Sequence, residues 1–363
     1  MLKTISIILM TSSMWSLPRF ALQEGTSCNL CHVNPSGGGL RNDYGISVAS
    51  QERSKYTGGP LGTSYTGMIN DHLRIGGDIR FLNYNTMETD QIKSALFPMQ
   101  ADISSHWKMS EKFSLVVKQD MLRGRNDVWV LWNGFLKNGF LKIGKDTPNY
   151  GIKLDDHTSF IRGGNLNNKV LQNEGLIFSP YLTSPGMLEC GFTFNNIFVS
   201  QSIANQFIKG SSQGGFNEYL HDKAFTSRVE WRPSFYNINS QLGVSFLQQG
   251  LIRLSGIYGG LATKKISWMG EVDVAEEYTS SGTYLVSYSE LNYHLKGYDL
   301  QLKYDFFDED MDTLGNAIQR ITVGFELVPI PFFEIRFQAR FTDYTGNEAI
   351  LKEEFIIQLH SWF

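Results

Sequence analysis

From Leu73 onward apolar and polar residues alternate with a period of two, and this limits the fold more than any other feature of the chain. Leu73, Ile75, Gly77, Ile79 and Phe81 share one face of an extended segment, with Arg74, Asp78 and Arg80 on the other. Phe113, Leu115 and Val117 oppose Ser114, Val116 and Lys118, and Leu300, Leu302, Tyr304 and Phe306 oppose Gln301, Lys303 and Asp305. Phe333, Ile335, Phe337, Ala339 and Phe341 stand against Glu334, Arg336, Gln338 and Arg340. Two architectures absorb such strands: a soluble sandwich with its apolar faces inside, or a membrane barrel with its apolar faces outside.

Three features favour the barrel. The segments run to about 10–13 residues, the length of a tilted bilayer crossing rather than the usual ~5–6. Aromatic residues fall near segment ends, at Tyr84, Trp107, Trp231, Tyr258, Tyr278, Tyr304 and Tyr344, as interfacial girdles require. The chain closes on Phe355, Ile357, Leu359, Ser361 and Phe363 at one parity, and a terminal Phe on an alternating strand resembles the C-terminal signal of bacterial outer-membrane barrels. No internal run reaches the ~18 apolar residues of a spanning helix. About seventeen segments fit the pattern, 97–108, 174–182 and 353–363 among them, and single-chain barrels take even numbers. The expectation is an all-β, transmembrane antiparallel β-barrel of about 16 strands over 72–363, with a short N-terminal haem-binding segment. Short turns such as Lys296-Gly297 are expected at the end that carries both termini, and long loops at the other.

The first residues follow a different rule. Met1-Leu2-Lys3 and the apolar run from Ile5 to Leu17 read as an export signal, residues 1–21, with cleavage between Ser13 and Ala21. Residues 22–71 carry the one place where the chain gathers covalent chemistry, Cys28-Asn29-Leu30-Cys31-His32. Two thiols three positions apart with an imidazole directly after the second is the c-type haem signature: both sulfurs reach one porphyrin and the histidine reaches its iron. A zinc site needs two further ligands at metal spacing, yet Cys190 stands alone and His72 is the next histidine. A thioredoxin-like pair needs a following helix, whereas Val33-Asn34-Pro35-Ser36-Gly37-Gly38-Gly39 starts none. The ~40 residues after His32 are too few for a core of their own, so the rest of the chain has to cover a haem.

With 32 basic and 36 acidic residues the net charge is −4, which leaves no electrostatic case for nucleic acid. Two loops stand out. Thr147–Asn173, with Asp155, Asp156 and His157, is either an ordinary exposed loop or one folded into the barrel toward a haem or metal. Phe207–Asp222 reads as a plain surface loop, and Cys190, at the parity of Leu188 and Phe192, as an inert lipid-facing or buried thiol. Candidates for a sixth iron ligand are His72, then His157, then Met68; the alternative is an open or water-ligated site.

An export signal, a single C-x-x-C-H preceded by Pro18-Arg19-Phe20-Ala21, and a long barrel ending in Phe together resemble the fused monohaem cytochrome-porins of the bacterial outer membrane. That resemblance implies one covalent haem c on Cys28 and Cys31, with His32 as the proximal metal ligand. It implies an electron carrier of the extracellular electron-transfer type, and in its enzymatic form an iron-oxidising oxidoreductase. Its partners would be the lipid bilayer, a periplasmic electron carrier and an extracellular redox partner or metal ion. A porin or transporter whose haem is structural or regulatory is the alternative.

Overall fold

The computed structural model of the chain describes residues 18–58, 65–88, 91–154, 156, 158–167, 172–176, 184–208, 222–278, 282–344 and 350–363. Its main sheet holds 18 strands among the described residues, of which Met68–Asn70 and Ser234–Phe235 are short rim pieces. The other 16 form a closed antiparallel barrel. In chain order they are β1 (Leu73–Glu88), β2 (Gln91–Lys108), β3 (Phe113–Asp120), β4 (Asn126–Asn133), β5 (Gly139–Lys145), β6 (Gly186–Phe194), β7 (Ile197–Asn205) and β8 (Lys223–Trp231). There follow β9 (Ile238–Gln249), β10 (Ile252–Ala262), β11 (Ile266–Glu276), β12 (Thr283–Leu295), β13 (Tyr298–Asp308), β14 (Ile318–Ile330), β15 (Phe333–Tyr344) and β16 (Ile350–Trp362). The ring closes where β16 pairs with β1, from Asp78↔Trp362 to Met87↔Glu353, so neither edge is left unpaired.

Strand parity decides which way the barrel faces. Ile79, Phe81, Ile103, Val130, Leu188, Ile257, Leu302, Val323 and Phe355 are exposed on the outside, while Arg80, Asp102, Lys142, Glu189, Glu271, Lys303 and Glu326 are buried inside. An apolar belt outside and charge inside is the arrangement that lipid demands and water forbids. Cys190 lies at the outward parity with Leu188 and Phe192, as expected. The turns 296–297 and 331–332 lie at the end that carries the start of β1 and the end of β16, and the long connections 146–185 and 206–222 at the other.

Three expectations are corrected. Most of the segment 174–182 lies outside the described residues; its described start pairs, as Gln172–Glu174, with Asn165–Asn167 in a two-stranded ribbon, and β5 pairs directly with β6. The segment 97–108 starts earlier, at Gln91, because Pro98, which has no N–H to donate, is carried by a register shift opposite Arg80 and Phe81 and does not end the strand. Of the aromatic girdle, Trp107, Trp231 and Tyr304 face outward, but Tyr258 and Tyr278 are buried inside. Tyr258 falls one residue from outward Ile257, so parity turns it into the lumen, where its hydroxyl donates to Glu230 at 3.1 Å. Tyr84 likewise donates inward, to Glu354.

The lumen is filled by two segments. The first is the N-terminal stretch, which enters through the helix α1 (Pro18–Gln23). Arg19, 4% exposed, bonds Glu290 of β12 at 3.2 Å and Glu326 of β14 at 2.8 Å, with Asp299 of β13 at 3.5 Å. Arg53 also pairs with Asp299 and Glu326, and both guanidinium groups stand over the Phe20 ring, Arg19 at 4.7 Å and Arg53 at 4.1 Å. The stretch leaves by main-chain bonds from Lys55 to Val328 (2.8 Å) and from Tyr56 to Pro329 (3.1 Å). The second filler is the connection after β5. Tyr150 Oη donates to Asp273 at 3.0 Å, the Ile152 amide to Glu271 at 2.7 Å, and Ser159 Oγ to Asp305 at 2.7 Å. Arg162 bonds Glu271 at 2.7 Å. The described part of this loop is therefore folded into the barrel. Phe160, Ile161 and Leu176 of the loop belong to one apolar cluster with Leu247, Leu254 and Phe307 of the barrel's inner face.

Candidate functional site

The Cys28–His32 stretch forms one helical turn. The amides of Cys31 and His32 both donate to the Cys28 carbonyl, at 3.2 and 3.1 Å, which closes the turn. Asn42 holds this turn from below. Its side-chain amide donates to the carbonyls of Leu30 at 2.8 Å and Asn29 at 3.1 Å, its own N–H donates to Cys31 O at 2.9 Å, and its side-chain oxygen accepts from the Gly45 amide at 3.0 Å. Gly45 opens the helical stretch that runs to Arg53, and it must be glycine: a Cβ there would lie 2.2 Å from the Cys31 carbonyl oxygen.

After His32 the chain doubles back, with the Val33 amide donating to Leu40 O at 3.0 Å. The return passes through Gly37 at φ +88°, where a Cβ would also sit 2.7 Å from Cys28 Cβ. It brings the Gly39 carbonyl oxygen to 3.2 Å from His32 Nδ1. With the ring proton on Nδ1, that contact is a hydrogen bond which fixes the imidazole and leaves Nε2 as the lone-pair nitrogen.

Cys28 and His32 line one lumenal cavity, bounded across the way by β1–β4 and at the top by the inward loop. It encloses about 1290 Å³ of empty space, including the part open to solvent. Its far wall is charged but paired: Arg80 Nε bonds Asp78 at 3.0 Å, and Lys118 bonds Asp127 at 2.9 Å with Asp102 at 3.9 Å. Gln100 donates to Asp102 at 2.6 Å, while its buried Oε1 has no hydrogen-bond partner. Lys153 enters from the loop. Cys31 is only 2% exposed and lies behind the turn rather than on the cavity wall.

The donor set suits a covalently bound haem. A nitrogen ligand oriented by a carbonyl and a thiol one turn earlier face the same lumenal cavity, with an unsatisfied buried oxygen on the opposite wall. Cys28 would hold such a group by its edge and His32 by its iron, and Cys31, buried just before His32, would have to turn toward the cavity to add the second thioether. Dithiol exchange suits the site poorly. Burial raises the Cys28 thiol above its ordinary range and pushes Cys31 up to about 12, so neither supplies the thiolate that exchange needs.

The expected sixth ligands are not brought together with this site. His72 is exposed at the rim with Nδ1 3.2 Å from Lys108 O, and Met68 Sδ accepts from Arg74 at 3.3 Å; neither borders the cavity. The short rim hairpin from Met68 to Arg74 holds both at the barrel end. His157 lies outside the described residues, and its neighbour Asp156 pairs with Lys303 and Arg340 and not toward the cysteines. Most of Phe207–Asp222 also lies outside them. Residues that sequence reasoning missed are Asn42, Lys153 and Arg19; only Arg19 carried a signal, as a charge in an otherwise apolar Pro18–Ala21 stretch.

No family model matches the sequence, and no curated protein matches it. The fold is similar to that of solved porins. OprB of Pseudomonas putida, in its high-pH structure, matches with a TM-score of 0.60 at 10% identity, over 80% of this chain and 94% of that one. The anion-selective porin from Comamonas acidovorans matches at 0.52 and 9% identity, over 80% and 99%. The outer membrane channel DcaP of Acinetobacter baumannii matches at 0.55 and 9% identity, over 80% and 97%. The chain thus has the fold of a 16-stranded porin barrel, with its lumen filled by its own N-terminal segment and inward loop.

Proposed function

We propose that the chain is a porin-type barrel of the bacterial outer membrane that carries one covalent haem c in its lumen and exchanges electrons between a periplasmic carrier and an extracellular redox partner or metal ion. The observation that carries this reading is the placement of Cys28 and His32 on one lumenal cavity, with the His32 ring held by the Gly39 carbonyl. A bound haem supplies a one-electron iron couple at that position. The residues of the chain do the rest. Cys28 and Cys31 anchor the group, His32 orients toward its iron, and the barrel wall separates it from lipid. The ion pairs of Arg19 and Arg53 and the bonds from Tyr150, Ile152 and Arg162 keep both fillers seated across the lumen.

A second reading has its own support: the solved structures of like fold are named as porins and a channel, which favours a solute channel whose haem is structural or regulatory. Liposome swelling with the purified protein separates the two. An electron-carrying barrel with a filled lumen passes sugars and small ions no faster than protein-free liposomes, and shows a reducible haem spectrum. Swelling at porin rates assigns the chain to solute passage.

A further inference from the structure

A haem brings two carboxylates into the site that binds it, and a buried carboxylate needs a cation or several hydrogen bonds. Among the described residues the cavity offers four basic side chains: Arg41, Arg80, Lys118 and Lys153. Arg80 is committed to Asp78, Lys118 to Asp127 and Asp102, and Arg41 stacks on the Trp362 ring at 4.7 Å. Lys153 makes no described ion pair within 4 Å. Its stem runs over the glycine return, with Cε 3.4 Å and Nζ 4.0 Å from where a Cβ on Gly38 would stand. The chain is held just before it at Ile152, whose amide donates to Glu271 at 2.7 Å and whose carbonyl accepts from Arg162 Nε at 3.0 Å. The amine thus reaches the cavity with no carboxylate at ion-pair distance among the described residues, and Asp146, which acts on it from the same wall, is bonded to Lys142 at 2.8 Å.

We infer that Lys153 is the cation that receives a carboxylate of the group bound in the lumenal cavity, a positioning residue supplied by the inward loop. The inference rests on the haem reading above. The other charges near the amine are Asp146 and Lys142 at the end of β5, Glu189 of β6 and the Cys28 thiol. Burial outweighs them and lowers the Lys153 amine below its ordinary range, as an amine short of a partner behaves.

The test compares wild type with Lys153→Met, which keeps the stem over Gly38, and Lys153→Arg, which keeps the charge. Heat-modifiable migration checks that each barrel folds, and redox titration of the visible bands is the readout. The inference predicts that Lys153→Met retains covalent haem with an unchanged spin state but a midpoint potential shifted negative, and that Lys153→Arg stays near wild type. A carboxylate that has lost its cation favours the oxidised iron. An unmoved potential in Lys153→Met overturns the inference, and so does a change from low-spin to high-spin, which would make Lys153 an iron ligand instead. Absence of haem from the wild type itself would defeat the haem reading, and is distinguishable from both.

Discussion

His32 Nδ1 stands 3.2 Å from the carbonyl oxygen of Gly39, across a return whose close approach to Cys28 requires glycine at 37. The contact ties the orientation of the one imidazole on the cavity to the backbone of a loop, and the loop in turn to the turn that bears the cysteines. Disturbing any member of this set is expected to be read at the cofactor and not in the barrel, whose strands pair independently of it.

Asn42 is the first test of that coupling. Asn42→Ala leaves the carbonyls of Asn29 and Leu30, one exposed and one half-buried, without their donor, at about 0.5–1.5 kcal/mol for each bond lost. The yield of covalent haem per folded barrel is expected to fall several-fold. Asn42→Asp keeps the acceptor for the Gly45 amide and should fall as far, because the donors are what it lacks. Equal haem stain in all three proteins would refute the role given to Asn42.

Arg19 makes a second. Its guanidinium binds Glu290 and Glu326 inside the barrel, so the exported protein has to retain it, and processing is expected ahead of Pro18 rather than near Ala21. N-terminal sequencing of the purified protein decides this directly. Arg19→Ala leaves three carboxylates sharing the remaining cations and is expected to loosen the N-terminal filler by about 3 kcal/mol, the lower figure for breaking a buried pair. Limited proteolysis should then cut near residues 18–58 with the barrel intact; cutting at the wild-type rate would count against the lock.

Glu24 gives the filler a pH dependence of predictable sign. It follows α1 at the barrel end, where burial, then the charge of Glu52, pushes its carboxyl up to about 7. A folded-state value above the ordinary 4.5 means that the seated filler holds its proton longer than the released one. Its contribution to seating is therefore fully present below about 4.5 and lost as pH rises through about 7. Proteolysis of the N-terminal segment should quicken between these limits in wild type and stay level in Glu24→Gln. A wild-type rate that falls over the same range contradicts the assignment.

The seam of the barrel is sensitive at Gly77. Its amide donates to Phe363 O at 2.9 Å and its carbonyl accepts from the Phe363 amide at 3.1 Å, while a Cβ on Gly77 would meet the Phe363 ring at 2.5 Å. Gly77→Val should displace that ring and lower the yield of heat-modifiable barrel, as should deletion of Phe363. Wild-type assembly in both would show that the β1–β16 closure does not depend on this contact.

The barrel was legible because the evidence for it is local: a period of two, segment by segment, states both the strand and its two faces, and the even strand count removes the surplus. The joint placement of Cys28 and His32 was legible for the same reason, five consecutive residues carrying their own geometry. The filling of the lumen was not. Arg19 and Glu326 meet across most of the chain, and Lys153 reaches the cavity only because Glu271 and Arg162 fix its loop, contacts that no periodicity announces. Tyr258 and Tyr278 misled because position near a strand end was read without parity, and His72 because nearness in sequence to the first strand was read as nearness to the cavity.

Intact-mass spectrometry of the protein purified from outer membranes of a host able to mature c-type cytochromes tests the central claim most directly. The account predicts a chain heavier than its mature sequence by one haem, with the added mass confined to the peptide containing Cys28 and Cys31 and lost in the Cys28→Ser, Cys31→Ser double variant. A folded barrel at the unmodified mass, with both thiols free to alkylation after denaturation, would contradict it.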